Sequence, residues 1–372
     1  MSNAGAILIN QYKYWVLFPW LETDDPNLRY YYDFTQSLAE YQKVFTELHV
    51  DWKWQPVTLQ NYAQVIRSIA ASPDGKIPLV LNLCDGDEVN GTPGISVIDE
   101  LEKYDLLYTG ADSFYYEITT SKIPMKKAFA AAAVATPAWE QLHHEKTQLA
   151  GICERIGTPV LLKPAVSGGS MGISVKNVVN NDHELLQRVH ELEKGYRGWN
   201  LLADGLFAEQ FITGREFTSL VVGTSDKPEQ CIIYEPVERI FHNSLPEHEQ
   251  FLSFDRLWEI YESEQPMPGN ANFYEYRPVY DPGLAKQIKS ISLDAYCAVA
   301  GKGYGRLDLR MDKTSGQLYV LEVNAQCGLS DDEDYTSIGA ILRVSGKTFT
   351  QLIHEVIEEA ILRRSSQQSV SL

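Results

Sequence analysis

A chain of 372 residues is long enough for two or three packed units and too long for one ordinary core. With 44% apolar and 22% charged residues it has a globular composition, and no run approaches the roughly 20 apolar residues that span a bilayer. A net charge of −18 with no basic face excludes a nucleic-acid binder, although a few local cations and a metal still leave room for a nucleotide.

Met1-Ser2-Asn3-Ala4 reads as a vector-derived leader without fold information, and no signal peptide is recognisable. Cys84, Cys153, Cys231, Cys297 and Cys327 show no paired spacing. That argues against a zinc site and a disulfide framework, and a cytoplasmic location is the expectation. Neither an internal repeat nor a low-complexity segment is present. Tyr14–Phe18 and Pro78–Leu83 are apolar runs of strand length. Between them Leu38, Tyr41, Phe45 and Leu48 recur at helical spacing, so strand, helix and strand imply a parallel sheet. The Lys- and Ala-rich stretch Thr119–Pro137 predicts a helix that ends before Thr136-Pro137. Pro159–Lys163 reads as a strand, Val166–Gly172 as a Gly/Ser loop and Ile173–Val175 as a second strand, with two more at Leu206–Phe211 and Glu216–Val222. Phe241–Pro278 is polar and aromatic without a clear period and reads as a long loop. A helix at Leu284–Ala300, strands at Tyr304–Met311 and Leu318–Val323, an acidic loop at Ser330–Asp334 and a helix at Lys347–Arg363 complete the chain.

Three constellations carry chemistry. Lys163 leads into Pro164-Ala165-Val166-Ser167-Gly168-Gly169-Ser170-Met171-Gly172. Small residues let backbone N–H groups approach an anion, and the lysine adds a point charge. The lysine precedes the glycines, so this is not the Walker order; a surface hairpin with a solvated lysine is the other reading. The second constellation is Arg306-Leu307-Asp308 with Glu322-Val323-Asn324. Alternation puts Arg306 and Asp308 on one face, and likewise Glu322 and Asn324. Two such strands side by side present hard oxygen ligands suited to Mg²⁺ bridging phosphates, with Arg306 placed to stabilise developing charge. Either strand alone is equally an edge strand with a polar outer face. The third, Glu209-Gln210-Phe211-Ile212 followed by Glu216, offers an edge to adenine and a carboxylate to ribose, or is a plain edge strand.

The order of these parts resembles the ATP-grasp superfamily, and within it the D-alanine–D-alanine ligases, over nearly the whole chain. Asn82-Leu83-Cys84-Asp85-Gly86, Gly91-Thr92-Pro93-Gly94, Leu101-Glu102 and Tyr108-Thr109-Gly110 look like the end of that family's first domain. Ser121-Lys122 with Lys126 looks like its entry to the central domain. The resemblance implies an α/β ATP-grasp fold: a parallel-sheet N-terminal domain (1–120), a small central α+β domain (121–205) and a C-terminal α+β domain (206–372). It implies ATP with two Mg²⁺ ions, Mn²⁺ being the alternative. Lys122, Lys163, Ser167 and Gly169 would meet the phosphates, and Glu209, Gln210, Ile212 and Glu216 the nucleoside. Asp308, Glu322 and Asn324 would hold metal, Arg306 and Ser170 would be catalytic, and Gly328, Ser330 and Glu333 would face substrate.

The departures bear on substrate. The family's Gly-Gly-x-Ser-x-Glu element, which holds an ammonium, is replaced by Phe18-Pro19-Trp20-Leu21-Glu22-Thr23-Asp24-Asp25, where Glu22 or Asp24 could substitute. After Asn324 the family's Thr-x-Pro-Gly-Met-Thr becomes Ala325-Gln326-Cys327-Gly328-Leu329-Ser330, followed by the acids 331–334. Those acids either face solvent or read an ammonium. Glu235–Arg239 and Trp258–Tyr261 replace a tyrosine-bearing loop, as cover for a larger substrate or as packing. The expectation is an ADP-forming ligase joining an amino acid to a second small acceptor other than D-alanine, as in mycosporine-like amino acid formation. A true D-alanine–D-alanine or other dipeptide ligase is the alternative, and a non-catalytic ATP-binding regulator is the rival from another class. A homodimer is the expected assembly.

Overall fold

The computed structural model describes residues 10–24, 33–72, 75–142, 149–195, 198–261, 264–332 and 336–370, apart from the side chains of 270 and 367–370. The apolar runs near the N-terminus form the expected parallel sheet. Strands β1 (Tyr12–Pro19), β2 (Trp52–Val57), β3 (Ile77–Asn82) and β4 (Leu107–Tyr108) lie in the order β2-β1-β3-β4. Tyr14 stands opposite both Trp52 and Leu79. The helix Thr35–Leu48 buries Tyr41, Val44 and Phe45, and it ends where His49 turns left-handed at φ 54°.

A second sheet is antiparallel. Its strands β5 (Trp139–Leu142), β6 (Val160–Pro164), β7 (Val178–Val179) and β8 (Leu206–Gln210) run in the order β5-β8-β6-β7. Strand β8 opens the segment 206–372 in the sequence reading, yet it hydrogen-bonds to β5 and β6. Ile173–Val175 is not a strand. The Asn177 amide donates to Leu162 O and Gly172 O, and its Oδ1 accepts the Ser174 N–H. That side chain winds Val175–Asn177 into a 3₁₀ turn, so only Val178–Val179 is left to pair.

The third sheet holds β9 (Gly214–Thr224), β10 (Ile232–Ile233), β11 (Val237–Phe241), β12 (Tyr274–Pro278), β13 (Lys302–Asp312) and β14 (Leu318–Ala325). Its order is β12-β11-β9-β13-β14, with β10 on β9. The stretch expected as a loop over 241–278 therefore ends in a sheet strand and carries the short helix Phe254–Leu257. Its aromatic residues pack rather than follow a period: Phe251 lies on Phe211, and Phe254 on Trp199. The Lys- and Ala-rich helix is two helices, Ser113–Thr120 and Lys122–Ala131. They part at Ser121, whose extended backbone bridges to Val166. The helix Pro282–Ala298 starts two residues early because Asp281 caps the N–H groups of Gly283 and Leu284, with Pro282 first in the helix.

The main core runs between the first and third sheets. It joins Tyr14, Tyr41, Phe45 and Leu79 to Leu220, Ile338 and residues of the C-terminal helix Phe349–Val370. Rings carry much of that contact: Phe45 stacks on Trp52 at 5.0 Å, and Tyr41 meets Phe349 edge-on at 5.6 Å. No helix among the described residues is long and apolar enough to cross a membrane, and the five cysteines are free thiols. Phe45→Ala is expected to cost about 3–5 kcal/mol of unfolding free energy. Urea denaturation would show it as a lower midpoint at unchanged slope.

Candidate active site

Strand alternation builds the site. The even-numbered residues Tyr304, Arg306, Asp308 and Arg310 of β13 share one face, and all four border a cavity of about 590 Å³. At about 3.3 Å per residue they span roughly 20 Å, which makes β13 the floor along which the other groups are arranged. Register extends each position into a row. Arg310 faces Glu216 on β9, which faces Arg239 on β11, which faces Tyr276 on β12. Asp308 stands between Thr218 and Glu322, and Arg306 stands opposite Asn324.

At the Arg310 end the cavity is walled by the second sheet and the Gly/Ser loop. Lys163 Nζ lies 3.0 Å and Lys126 Nζ 2.5 Å from the two oxygens of Glu209, and all three side chains are buried. Burial alone would raise the Glu209 carboxyl; the two ammonium groups outweigh it and hold the group below its ordinary range. Burial also pushes Lys126 down, against the pull of Glu209. Lys122, placed by the break at Ser121, donates to Ser167 O at 2.8 Å and lies 3.5 Å from Glu322. Gln210 and Ile212 border the cavity, but the Gln210 N–H is bonded to Ala138 O and the Ile212 carbonyl accepts from Arg310. Glu216 is gripped by Arg239 and by Arg310, whose Nε is 3.0 Å away. A ribose would therefore meet a carboxylate already held by two guanidinium groups.

The expected metal ligands converge. Asp308 Oδ1 accepts from Thr218, while Oδ2 lies 3.1 Å from Asn324 Nδ2 and 3.3 Å from Arg306. Burial works against ionised Glu322, but Lys122, Lys163 and Arg306 reverse that and hold its carboxyl at about 2. Glu322 is thus available as an anion. Among the described residues no three His, Cys, Asp or Glu side chains converge on one point. This is the sparse protein donor set that suits Mg²⁺, which keeps water and phosphate oxygens in its remaining positions.

The Gly/Ser loop is tied from outside by the segment between β11 and β12. Trp258 Nε1 donates to Gly169 O at 2.8 Å, and Ser170 Oγ donates to Leu252 O at 3.0 Å. Glu264 accepts the Val175 N–H at 3.1 Å. Ser170, expected to be catalytic, thus has its proton on a backbone carbonyl. Gly172 is required where it stands: its φ is +73°, and a Cβ would meet Leu201 at 3.0 Å. Among the described residues, Ser167 Oγ, Arg239 Nε, Arg306 Nε and Ser337 Oγ are buried polar atoms of the cavity wall without a hydrogen-bond partner, and Glu209 Oε2 has its ion pair with Lys126 alone. Buried orphans of this kind call for an absent partner, and an anionic phosphate would supply acceptors for Ser167 and Arg306.

At the Tyr304 end the expectations are met unevenly. Gly328 borders the cavity. Ser330 is 1% exposed and turned away, its hydroxyl donating to Glu40 at 2.7 Å. Glu333 lies outside the described residues. Glu22 and Asp24 are exposed rather than set in the cavity wall. The acids found there are Asp85 and Asp87, which the sequence reading passed over because a polar loop after a strand is unremarkable. Arg310 was also missed, although it continues the alternation that singled out Arg306 and Asp308.

The family profile described as "D-ala D-ala ligase C-terminus" matches residues 128–358. The chain belongs to the D-alanine–D-alanine ligase family, and it is an ATP-dependent, ADP-forming ligase that uses Mg²⁺ and makes a carbon–nitrogen bond. The D-alanine--D-alanine ligase of Xanthomonas axonopodis pv. citri is 27% identical over 284 residues, 76% of this chain and 78% of the relative. That of Bordetella avium is 24% identical over 260 residues, 70% of this chain and 72% of the relative. Among solved structures, the D-alanine--D-alanine ligase of Bacillus anthracis complexed with ATP superposes with a TM-score of 0.64 at 16% identity, covering 95% of this chain and 99% of that one. The VanG D-Ala:D-Ser ligase of Enterococcus faecalis gives 0.66 at 15% identity, covering 94% and 99%. The mixed architecture expected from the sequence is that of these ATP-grasp ligases.

Glu209→Gln would leave two buried ammonium groups short of their counter-charge, at a cost of about 3–5 kcal/mol. The folded carboxyl is depressed, so its stabilisation is present above the unfolded value of about 4.3 and is lost as pH falls below it. Denaturation curves across that range are expected to show the variant less stable at neutral pH and flatter toward acid than the native chain.

Proposed function

We propose that the chain transfers the γ-phosphate of ATP to an oxygen of one small acceptor and joins that carbon to the amine of an amino acid, and that the two substrates are not both D-alanine. The observation that carries this reading is the fate of Ser330. The serine expected beside a substrate carboxylate is bonded to Glu40, which also accepts the Asp331 N–H. At the other end of the pocket, Glu22 and Asp24 are not in the wall either. One structural neighbour is a D-Ala:D-Ser ligase, so this fold accommodates a second substrate other than D-alanine. Tyr116, Tyr304 and Phe34 give the Tyr304 end aromatic walls, which suit a ring-bearing acceptor such as a mycosporine with an enol oxygen.

In this reading the chain divides into three domains, and placing the second boundary past Gln210 keeps each sheet whole. Lys122 and Lys163 attract the phosphates, and Ser167 donates its unspent proton. Asp308, Glu322 and Asn324 hold magnesium, which neutralises phosphate charge when bound. Arg306 is oriented by Asp308 and keeps Nε for the oxygen that becomes negative. Most of the rate comes from position and charge.

A coupled ADP assay tests the substrate claim. Saturating D-alanine with ATP and magnesium is expected to give little ADP, and an amino acid supplied with a non-alanine acceptor much more. Rapid formation of D-alanyl-D-alanine would overturn the reading. Glu322→Gln is expected to abolish ADP formation while unfolding stays cooperative; normal turnover in that variant would remove the metal assignment. Lys163→Ala is expected to weaken ATP binding, as read by calorimetry.

A further inference from the structure

We propose that Asp85 is the carboxylate that receives the charged amino group of the amino-acid substrate. This assignment rests on the amino-acid ligase reading above and adds to it the residue that recognises that substrate. In a parallel sheet, ligands collect beyond the carboxyl ends of the strands, where the strand order reverses. Here the reversal lies between β1 and β3, and Asp85 stands just past the end of β3. It borders the same cavity as Arg306 and lies opposite the phosphate-facing lysines along the β13 floor. A zwitterion needs both signs of charge in its pocket, and this end supplies the negative one.

The neighbouring acids are already engaged. Asp87 accepts the N–H of Asn90 at 3.0 Å and its side-chain amide at 2.7 Å. The Glu88 carboxylate accepts from Gly94 N, Ser96 N and Ser96 Oγ. Asp85 differs: no cation pairs with it among the described residues, and the titratable groups around it are Cys84, Asp87, Tyr116, Tyr304 and Cys327. Its side chain is exposed and opens on the cavity. Enclosure, with a smaller push from Asp87, raises its carboxyl to about 6. An arriving ammonium supplies the missing counter-charge.

The loop that carries Asp85 is fixed before any ligand arrives. Cys84 N–H is bonded to Asn82 Oδ1, Gly86 N–H to Pro93 O, and Tyr116 OH donates to Gly86 O at 2.7 Å. Gly86 admits no side chain, since a Cβ would fall 2.2 Å from Thr92 O. A carboxylate held this way loses little freedom on binding, as a recognition residue requires.

The test measures binding to the whole protein saturated with magnesium and a non-hydrolysable ATP analogue. The probes are D-alanine and L-serine, each compared with its deaminated counterpart, propionate and L-glycerate. At least one amino acid is expected to bind about tenfold or more tighter than its counterpart. That preference should grow as pH rises from about 5 to about 7, because Asp85 is ionised above its raised value. Asp85→Asn should erase both the preference and its pH dependence while affinity for the nucleotide analogue stays the same, and Asp85→Glu should restore part of the preference. The native-protein comparison stands even if a variant fails to fold. Equal binding of amino and deaminated probes, no binding of either amino acid, or a preference kept in Asp85→Asn would each overturn the proposal. Failure of the claim that the two substrates are not both D-alanine would appear separately, as rapid D-alanyl-D-alanine formation by the native protein.

Discussion

The whole site depends on one constraint, the period-two alternation of β13, which pairs with β9 in continuous register and with β14 across a single register shift after Asp308. Because successive side chains leave opposite faces, one strand lays Tyr304, Arg306, Asp308 and Arg310 along the cavity and sends Leu307 and Leu309 into the core. A slip of one residue would exchange these sets, burying three charges and exposing two leucines. The rows on neighbouring strands inherit that register. Glu322 stands beside Asp308, and Glu216 lies between two arginines, because antiparallel pairing leaves them nowhere else.

Charge in the site is arranged as closed local pairs within a strongly acidic chain. Lys126 and Lys163 share Glu209, Arg239 and Arg310 share Glu216, and Arg306 leans on Asp308. Each pairing gives a buried charge a counter-charge close by, without which its burial would be costly. Along the cavity wall Ser167 Oγ, Arg239 Nε, Arg306 Nε and Ser337 Oγ remain without a hydrogen-bond partner.

Much of this was legible in the sequence because it rests on short-range periodicity. Tyr14–Phe18 and the helix bearing Tyr41 and Phe45 declare themselves by spacing, and the alternating Arg306/Asp308 and Glu322/Asn324 pairs by alternation together with the family resemblance. What stayed hidden depends on contacts between distant segments. Asn177 competes with strand pairing through its side chain, and no propensity records that Leu162 and Gly172 will be its partners. Strand β8 reads the same whether it joins one sheet or another. Asp85 matters only because Tyr116, Tyr304 and Cys327, far away in sequence, close around it. Ser330 lies outside the cavity wall, where Glu40, on the helix Thr35–Leu48, offers it an acceptor.

The segment that ties the Gly/Ser loop also has a kinetic consequence. Trp258 and Leu252 hold the loop by its own carbonyl and hydroxyl while forming part of the cavity wall. Loosening the loop and opening the wall are therefore a single event. In such an arrangement the slow step of a catalytic cycle can lie in product escape, with the bond-making chemistry already finished.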